Sequence, residues 1–293
     1  MSLPVPASAD LPQRAASAGR QPFHELLKAW RSTRRFSQLE LAGRAAISQR
    51  HLSFLETGRS RPSREMVMRL AQVLAVPLRE RNELLRAGGY APLYTESSLD
   101  QASMAGIRMA LETTLRHHDP FPALVVNRQW DLLFQNAAVD RLIGLLGEPS
   151  QVWNAVDPSG RRNVMRLMLH PEGLQPLVAD WPETAGSVLS RLEAESQANP
   201  ANAGLQALLA DLRGMPGVAD ALVAAAQAGQ TMEVPVLTLK LRAGSSTLMF
   251  FSMICTFGKA LDLTADELRL ELLFPSDEFT TAFLRQGHPP LAG

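Results

Sequence analysis

Between Pro22 and Gly89 apolar residues recur at helical spacing, and residues that start or stop helices break the recurrence every few turns. This punctuation leaves few folds open. Phe23, Leu26, Leu27 and Trp30 follow the i, i+3, i+4, i+7 pattern behind Pro22, a good first-turn residue. Ser37 can cap a second helix that buries Leu41, Ala42 and Ala45. Ser48 can cap a third, with Ile47, Leu52 and Leu55 inward and Gly58 at its end. Pro62 and Ser63 open a fourth, carrying Met66, Val67, Leu70, Val73 and Leu74; Pro77 begins a fifth, closed by Gly88-Gly89. The spacing therefore predicts an all-α domain of five short helices over residues 21–91.

Two of these helices are joined by the tight Ala46-Ile47 turn, the layout of a helix-turn-helix. Burial of Ile47, Leu52 and Leu55 fixes the rotation of the second helix. At about 100° per residue, Gln49, Arg50 and Ser53 then face outward. Glutamine pairs bidentately with adenine and arginine with guanine, so these residue types suit base readout in a major groove. Gln38, Ser48, Arg59, Arg61 and Ser63 lie around them with no evident structural duty, and a helix N-terminus suits phosphate. Arg34, Arg35, Arg44 and Arg64 read equally as phosphate contacts or as solvated charges. Charge favours a polyanionic partner for this half. The chain is neutral overall, yet residues 1–95 hold 15 Lys or Arg against 7 Asp or Glu, and the remainder holds 14 against 22. A basic helical module that binds only proteins is the competing reading.

The stretch "FSQLELAGRAAISQRHLSFLETGRSRPS" resembles the XRE-type helix-turn-helix of phage repressors and many bacterial regulators, over about residues 22–90. The resemblance implies that Gln38 braces Gln49 and contacts the DNA backbone. It also implies that Arg50 takes the next recognition position and that Arg59 to Ser63 form the phosphate-gripping loop. Phe54 departs from the family's usual polar residue.

Beyond the head the pattern changes. Residues 1–20, rich in Pro, Ala and Ser, read as a disordered tail, and residues 92–119 as a linker with a connecting helix marked by Met104, Ile107, Leu111 and Leu115. "FPALVVNRQWDLLFQN" reads as a hairpin turning around Asn127 to Gln129. Helical segments punctuated by prolines follow from 136 to 229, and strand character returns at 233–242, 246–257 and 268–274. Two strands, several helices and three more strands predict an α+β domain with an antiparallel sheet over residues 120–293. The single cysteine, Cys255, excludes an internal disulfide and is expected to be an inert buried thiol. No run is long enough to span a membrane and no secretion signal opens the chain, so a cytoplasmic protein is expected.

This half resembles the MmyB-like ligand-binding domain through "PALVVNRQWDLLFQNAA", "NVMRLMLHPEG", "DWPETAGSVLSRLEAE" and "ELRLELLFPSDEF". The resemblance implies a PAS-like fold and fatty acids as the ligand class, with no other cofactor. From the residues themselves, alternation puts Met249, Phe251, Met253, Cys255 and Phe257 on one strand face, joined by Leu237, Leu239 and Leu241. Trp130, Leu132 and Phe134 form a similar row on the hairpin. These rows, with Met165 and Leu169, are the candidate ligand lining, although flexible Met side chains fill ordinary cores as readily as they adapt to ligands. Arg161, Arg162, Arg166 and His170 are candidates for a carboxylate partner, or a solvated face.

His117-His118-Asp119 has no third ligand at a metal-site spacing, and no phosphate-cradling glycine motif, HExxH or GxSxG occurs, so no enzyme chemistry is expected. The expectation is a transcription regulator: a homodimer that binds a double-stranded DNA operator under the control of a fatty acid, with no membrane association. Its rivals are a second half that only dimerises or recruits proteins, and a tethered enzyme domain.

Overall fold

The computed structural model describes residues 21–227, 238–258 and 260–286. The tail at 1–20, Leu237 and the first part of the strand expected at 233–242 lie outside the described residues. The chain divides into two compact units, one ending at Leu93 and the other beginning at Tyr94.

The first unit is α1 (Phe23–Thr33), α2 (Gln38–Arg44), α3 (Gln49–Glu56), α4 (Arg64–Val73) and α5 (Leu78–Ala87). The starts match the capping chemistry. Ser37 makes a full capping box with Glu40, while the Ser48 and Ser63 side chains accept from His51 N and Met66 N at 3.1 Å each. Leu27, Leu41, Leu52, Leu55, Val67, Leu70 and Leu85 meet in one core. Ala46, in the turn between α2 and α3, has φ 52°, so a non-glycine residue holds a left-handed conformation there. Arg34 is not a free phosphate contact. Its Nε and Nη2 donate to Leu74 O (2.8 Å) and Ala75 O (3.0 Å), tying down the carbonyls at the end of α4.

The second unit opens with α6 (Ala105–His118), the helix expected to connect the domains. It is no free connector: Leu111 and Leu115 pack on Ala123, Val125, Leu268 and Leu270. Then come β1 (Ala123–Val126), β2 (Leu132–Gln135), α7 (Ala137–Ile143), α8 (Pro149–Val156), α9 (Val164–Leu169), α10 (Trp181–Ala198), α11 (Ala203–Arg213) and α12 (Val218–Gln227). β3 (Thr238–Ala243), β4 (Ser246–Cys255), α13 (Leu263–Glu267), β5 (Arg269–Pro275) and α14 (Glu278–Arg285) complete it. The strands form one antiparallel sheet in the order β2-β1-β5-β4-β3, so the last strand in sequence is the central one. The expected α+β architecture with an antiparallel sheet is therefore present. The β1–β2 turn sits where the sequence placed it, with Asn127 Oδ1 accepting from Gln129 N and Asp131 N at 2.9 Å each.

Both faces of this sheet are covered. Leu124, Leu239, Leu241, Leu248, Phe250 and Leu273 belong to the main core beneath the helices α7 to α12, whereas Val125 and Leu270 face α6.

Candidate functional site

In the first unit, Leu52, Leu55 and Glu56 are the buried residues of α3. Gln49 and Arg50 are exposed and Ser53 is half-buried, as the helical rotation requires. Phe54 lies half-buried beneath Arg50, whose guanidinium sits 5.4 Å from the ring centroid. A cation over an aromatic face is restrained in direction, so this Phe presents the Arg side chain outward in a limited set of rotamers. Arg59, Arg61 and Ser63 are exposed in the loop and cap that follow. Ser48 and Ser63 are occupied as caps through their lone pairs, which leaves each hydroxyl hydrogen available to an outside acceptor.

The brace to Gln49 that the resemblance implied for Gln38 is replaced by another contact. Gln38 Nε2 donates to Glu56 Oε2 at 2.8 Å. Glu56 is the buried hub of the head, and nothing in the sequence reading singled it out. Arg31 clamps it with two hydrogen bonds, Nε to Oε1 at 2.6 Å and Nη2 to Oε2 at 3.0 Å, while donating to Phe36 O at 2.9 Å. One carboxylate thus links α1, α2 and α3 and holds the α2–α3 angle.

In the second unit a cavity of about 70 Å³ lies between the sheet and the helices. Its sheet wall is Leu124, Leu239, Phe250, Ser252, Glu271 and Leu273; its helical wall includes Leu142 and Ile143 of α7, Leu167 and Met168 of α9, and Thr184 and Val188 of α10. Of the expected lining, Leu239 and Phe251 border it. The ring of Phe251, however, stacks on Phe274 at 5.1 Å, on the opposite side of the strand.

The expected strand row was therefore out by one residue. The register pairs Leu239 with Phe250 and Leu241 with Leu248, so these face the cavity side together. Met249 lies on the other parity, and Met253 and Cys255 are exposed, so Cys255 is not the buried thiol expected. Among the described residues, β3 reaches only Phe251 of β4, and the residues from Ser252 to Cys255 pair with β5. On the hairpin, Phe134 packs with the α6 cluster and Leu132 only against the edge of the main core. Met165 and Leu169 are buried in that core without touching the cavity.

Trp130 is also absent from the lining. It is fully buried with φ 66°, under the guanidiniums of Arg191 (4.2 Å) and Arg269 (5.0 Å), and its Nε1 donates to Glu195 Oε2 at 3.2 Å. None of the proposed carboxylate partners reaches the cavity. Arg161 and Arg162 precede α9 and are exposed, Arg166 pairs with Asp211 at 2.9 Å, and His170 Nδ1 accepts from Glu172 N at 3.1 Å. They share no helical face because α9 begins at Val164. His118 and Asp119 likewise diverge: His118 Nε2 lies 2.9 Å from Leu273 O, and Asp119 pairs with Arg141 at 2.8 Å.

The cavity's polar wall belongs instead to Glu271, a lone acidic residue between Leu270 and Leu272. Burial pushes its carboxyl above the usual carboxylate range, opposed by the Arg191 guanidinium and a Ser252 hydrogen bond and reinforced by Glu195.

A family model described as the MmyB-like transcription regulator ligand binding domain matches residues 107–286. The chain belongs to the MmyB-like transcription regulators. A helix-turn-helix domain model matches residues 23–84 of the same regulator, the span that carries α2 and α3. A comparison with curated proteins returns no match. The regulator is thus a DNA-binding head followed by a small-molecule-binding domain. Among its described residues, no helix is long and apolar enough to cross a membrane.

Proposed function

We propose that this regulator reads a double-stranded DNA operator as a cytoplasmic homodimer, and that an acyl-chain ligand, fatty acids being the leading class, modulates that reading. The observation that carries the DNA half is the exposed face of α3, where Arg50 is held over Phe54 beside Gln49 and Ser53. Arg50 and Gln49 read base edges, and Arg59, Arg61, Ser48 and Ser63 grip phosphates. Gln38 acts through Glu56 by holding the helix angle. Arg50→Ala is expected to cost about 1–3 kcal/mol of operator affinity and relax selection at one base position. Arg59→Ala and Arg61→Ala are expected to weaken all sequences alike and flatten the salt dependence. Selection from a random DNA pool, followed by titrations at several salt concentrations, separates these effects. An unchanged motif for Arg50→Ala would place the reading surface elsewhere. One α3 covers only a few base pairs, so a two-fold dimer on two half-sites supplies the remaining specificity. A monomer by sedimentation, both free and on a palindromic operator, would exclude that arrangement.

The ligand half rests on the apolar cavity. At about 70 Å³ it is about half of the roughly 150 Å³ apolar cavity that admits one benzene ring, so a long chain enters only if the walls part. Each buried CH₂ contributes about 0.8 kcal/mol, which lets a chain of ten or more carbons drive that opening. The work of opening supplies the differential affinity between two conformations that a switch requires. Leu124 and Glu271 border the cavity, while their neighbours Val125 and Leu270 pack on α6, so wall movement is passed to the helix that follows the head in sequence. Calorimetry with laurate, myristate and palmitate on delipidated protein is the test, with saturable binding and altered operator affinity expected. No binding by any of them would favour a second half that serves only dimerisation or protein recruitment.

A further inference from the structure

Glu271 is a buried acid in the wall of an apolar cavity, in a regulator whose ligand class is expected to carry a negative charge. Register sets its direction. Leu124 pairs with Glu271, and Ser252 pairs with Leu273, so Glu271 and Ser252 lie on the sheet face that borders the cavity. Across from them, Thr184 and Val188 of α10 line the cavity, and Arg191, one turn further on, approaches Glu271 at 3.8 Å. That pairing is loose. Arg191 is engaged as much by Glu195 at 3.5 Å, and Glu195 is held in turn by Arg269 at 2.6 Å. Among the described residues, no cation lines the cavity. Arg191 Nη2 is buried without a hydrogen-bond partner among the described residues.

We propose that Glu271 and Ser252 are the head-group anchor of the cavity, and that the ligand docks there as a hydrogen-bond donor. A neutral amphiphile with a hydroxyl or carboxamide head satisfies the anchor directly. A carboxylic acid enters only by sharing a proton with Glu271, because two adjacent carboxylates repel in a low-dielectric site. Acid binding then takes up a proton. Above the point where the free acid and Glu271 are both ionised, each rise of one pH unit costs up to about tenfold in affinity. The charged groups facing Glu271 are Arg191 and Glu195 from α10, with Arg269 reached through Glu195; two cations and two anions leave no surplus positive charge for a ligand carboxylate. The proposal rests on the reading of this cavity as the ligand site.

The test is calorimetry on the delipidated full chain with decanol, decanamide and decanoate at about pH 6 and about pH 8. Decanol and decanamide are expected to bind at both values within roughly threefold, and decanoate to weaken at least about tenfold at the higher pH. Glu271→Gln removes the titrating proton and supplies an NH2 donor that an ionised carboxylate can accept from, so it is expected to abolish the pH dependence for decanoate. Glu271→Leu is expected to weaken decanol by about tenfold or more, the loss of one hydrogen bond to a buried carboxyl. Decanoate binding equally at both pH values while decanol fails to bind would overturn the anchor and leave the cavity reading standing. If none of the three bound, both would fall. The unmodified protein decides the ligand order and its pH dependence, so the proposal stays testable even if a Glu271 variant does not fold.

Discussion

Replacing Glu56 with Ala is expected to destabilise the DNA-binding head by about 3–5 kcal/mol, far more than any exposed substitution on α3. Glu56 is buried and accepts from Arg31 and Gln38, so its removal leaves a mostly buried guanidinium without its carboxylate and an amide without its acceptor. The helices tied together there are α1, α2 and α3, so the angle that presents α3 is lost with the stability. Urea unfolding of the full chain, with hydrogen exchange to assign each transition, is the measurement. The early transition should belong to residues 23–56, and operator binding should fall even where the head remains folded. A shift below about 1 kcal/mol would mean the ion pair is solvated and the head held by its apolar core alone. The Arg31→Ala and Glu56→Ala double mutant should be little worse than Glu56→Ala, since the two share one interaction.

Trp130→Ala is expected to be as costly in the second domain, about 3–5 kcal/mol. The indole is fully buried in the main core, and the Arg191 and Arg269 guanidiniums lie over its ring. Truncation removes that platform and opens a void beside the Glu195 carboxyl, where water can enter the charged cluster. Trp130→Phe keeps an aromatic face but loses the donation to Glu195, so a smaller loss of about 1–2 kcal/mol is expected. Thermal unfolding, together with the ligand titrations above, reads both effects. A Trp130→Ala protein as stable as the parent would show that the cluster does not depend on this ring.

These two residues mark what the sequence conceals. Trp130 has the look of cavity lining, apolar and in an alternating hairpin row. The left-handed backbone at Trp130 and the register irregularity between Val125 and Val126 turn its ring toward the charged cluster. Glu56 reads as one more polar residue at the end of a short helix, because the partners that bury it come from Arg31 and Gln38, far away in the chain. A local pattern carries no record of such meetings.

The head was legible because its signals are local. Ser37, Ser48 and Ser63 cap the helices they precede, and Gly58 and Gly89 take the left-handed conformations that end α3 and α5. One buried stripe per helix then fixes which residues face out, and Arg50 follows from Leu52 and Leu55 by rotation alone. The sheet was legible as strands but not as faces. From Leu248 to Phe251 both parities are apolar: Leu248 and Phe250 are buried in the main core while Met249 and Phe251 are half-buried on the other side, so residue type shows no alternation there. Which side holds the cavity was decided by the antiparallel register of β3, β4 and β5, and that register also brought Glu271, Ser252 and Arg191 together. The sequence by itself determined the helices of the head, the outward face of α3 and the antiparallel α+β plan, all governed by neighbours within a few residues. Only tertiary structure decided the Glu56 clamp and the acidic wall of the cavity, since both depend on long-range pairings that bury charge where no short-range pattern can foretell a partner.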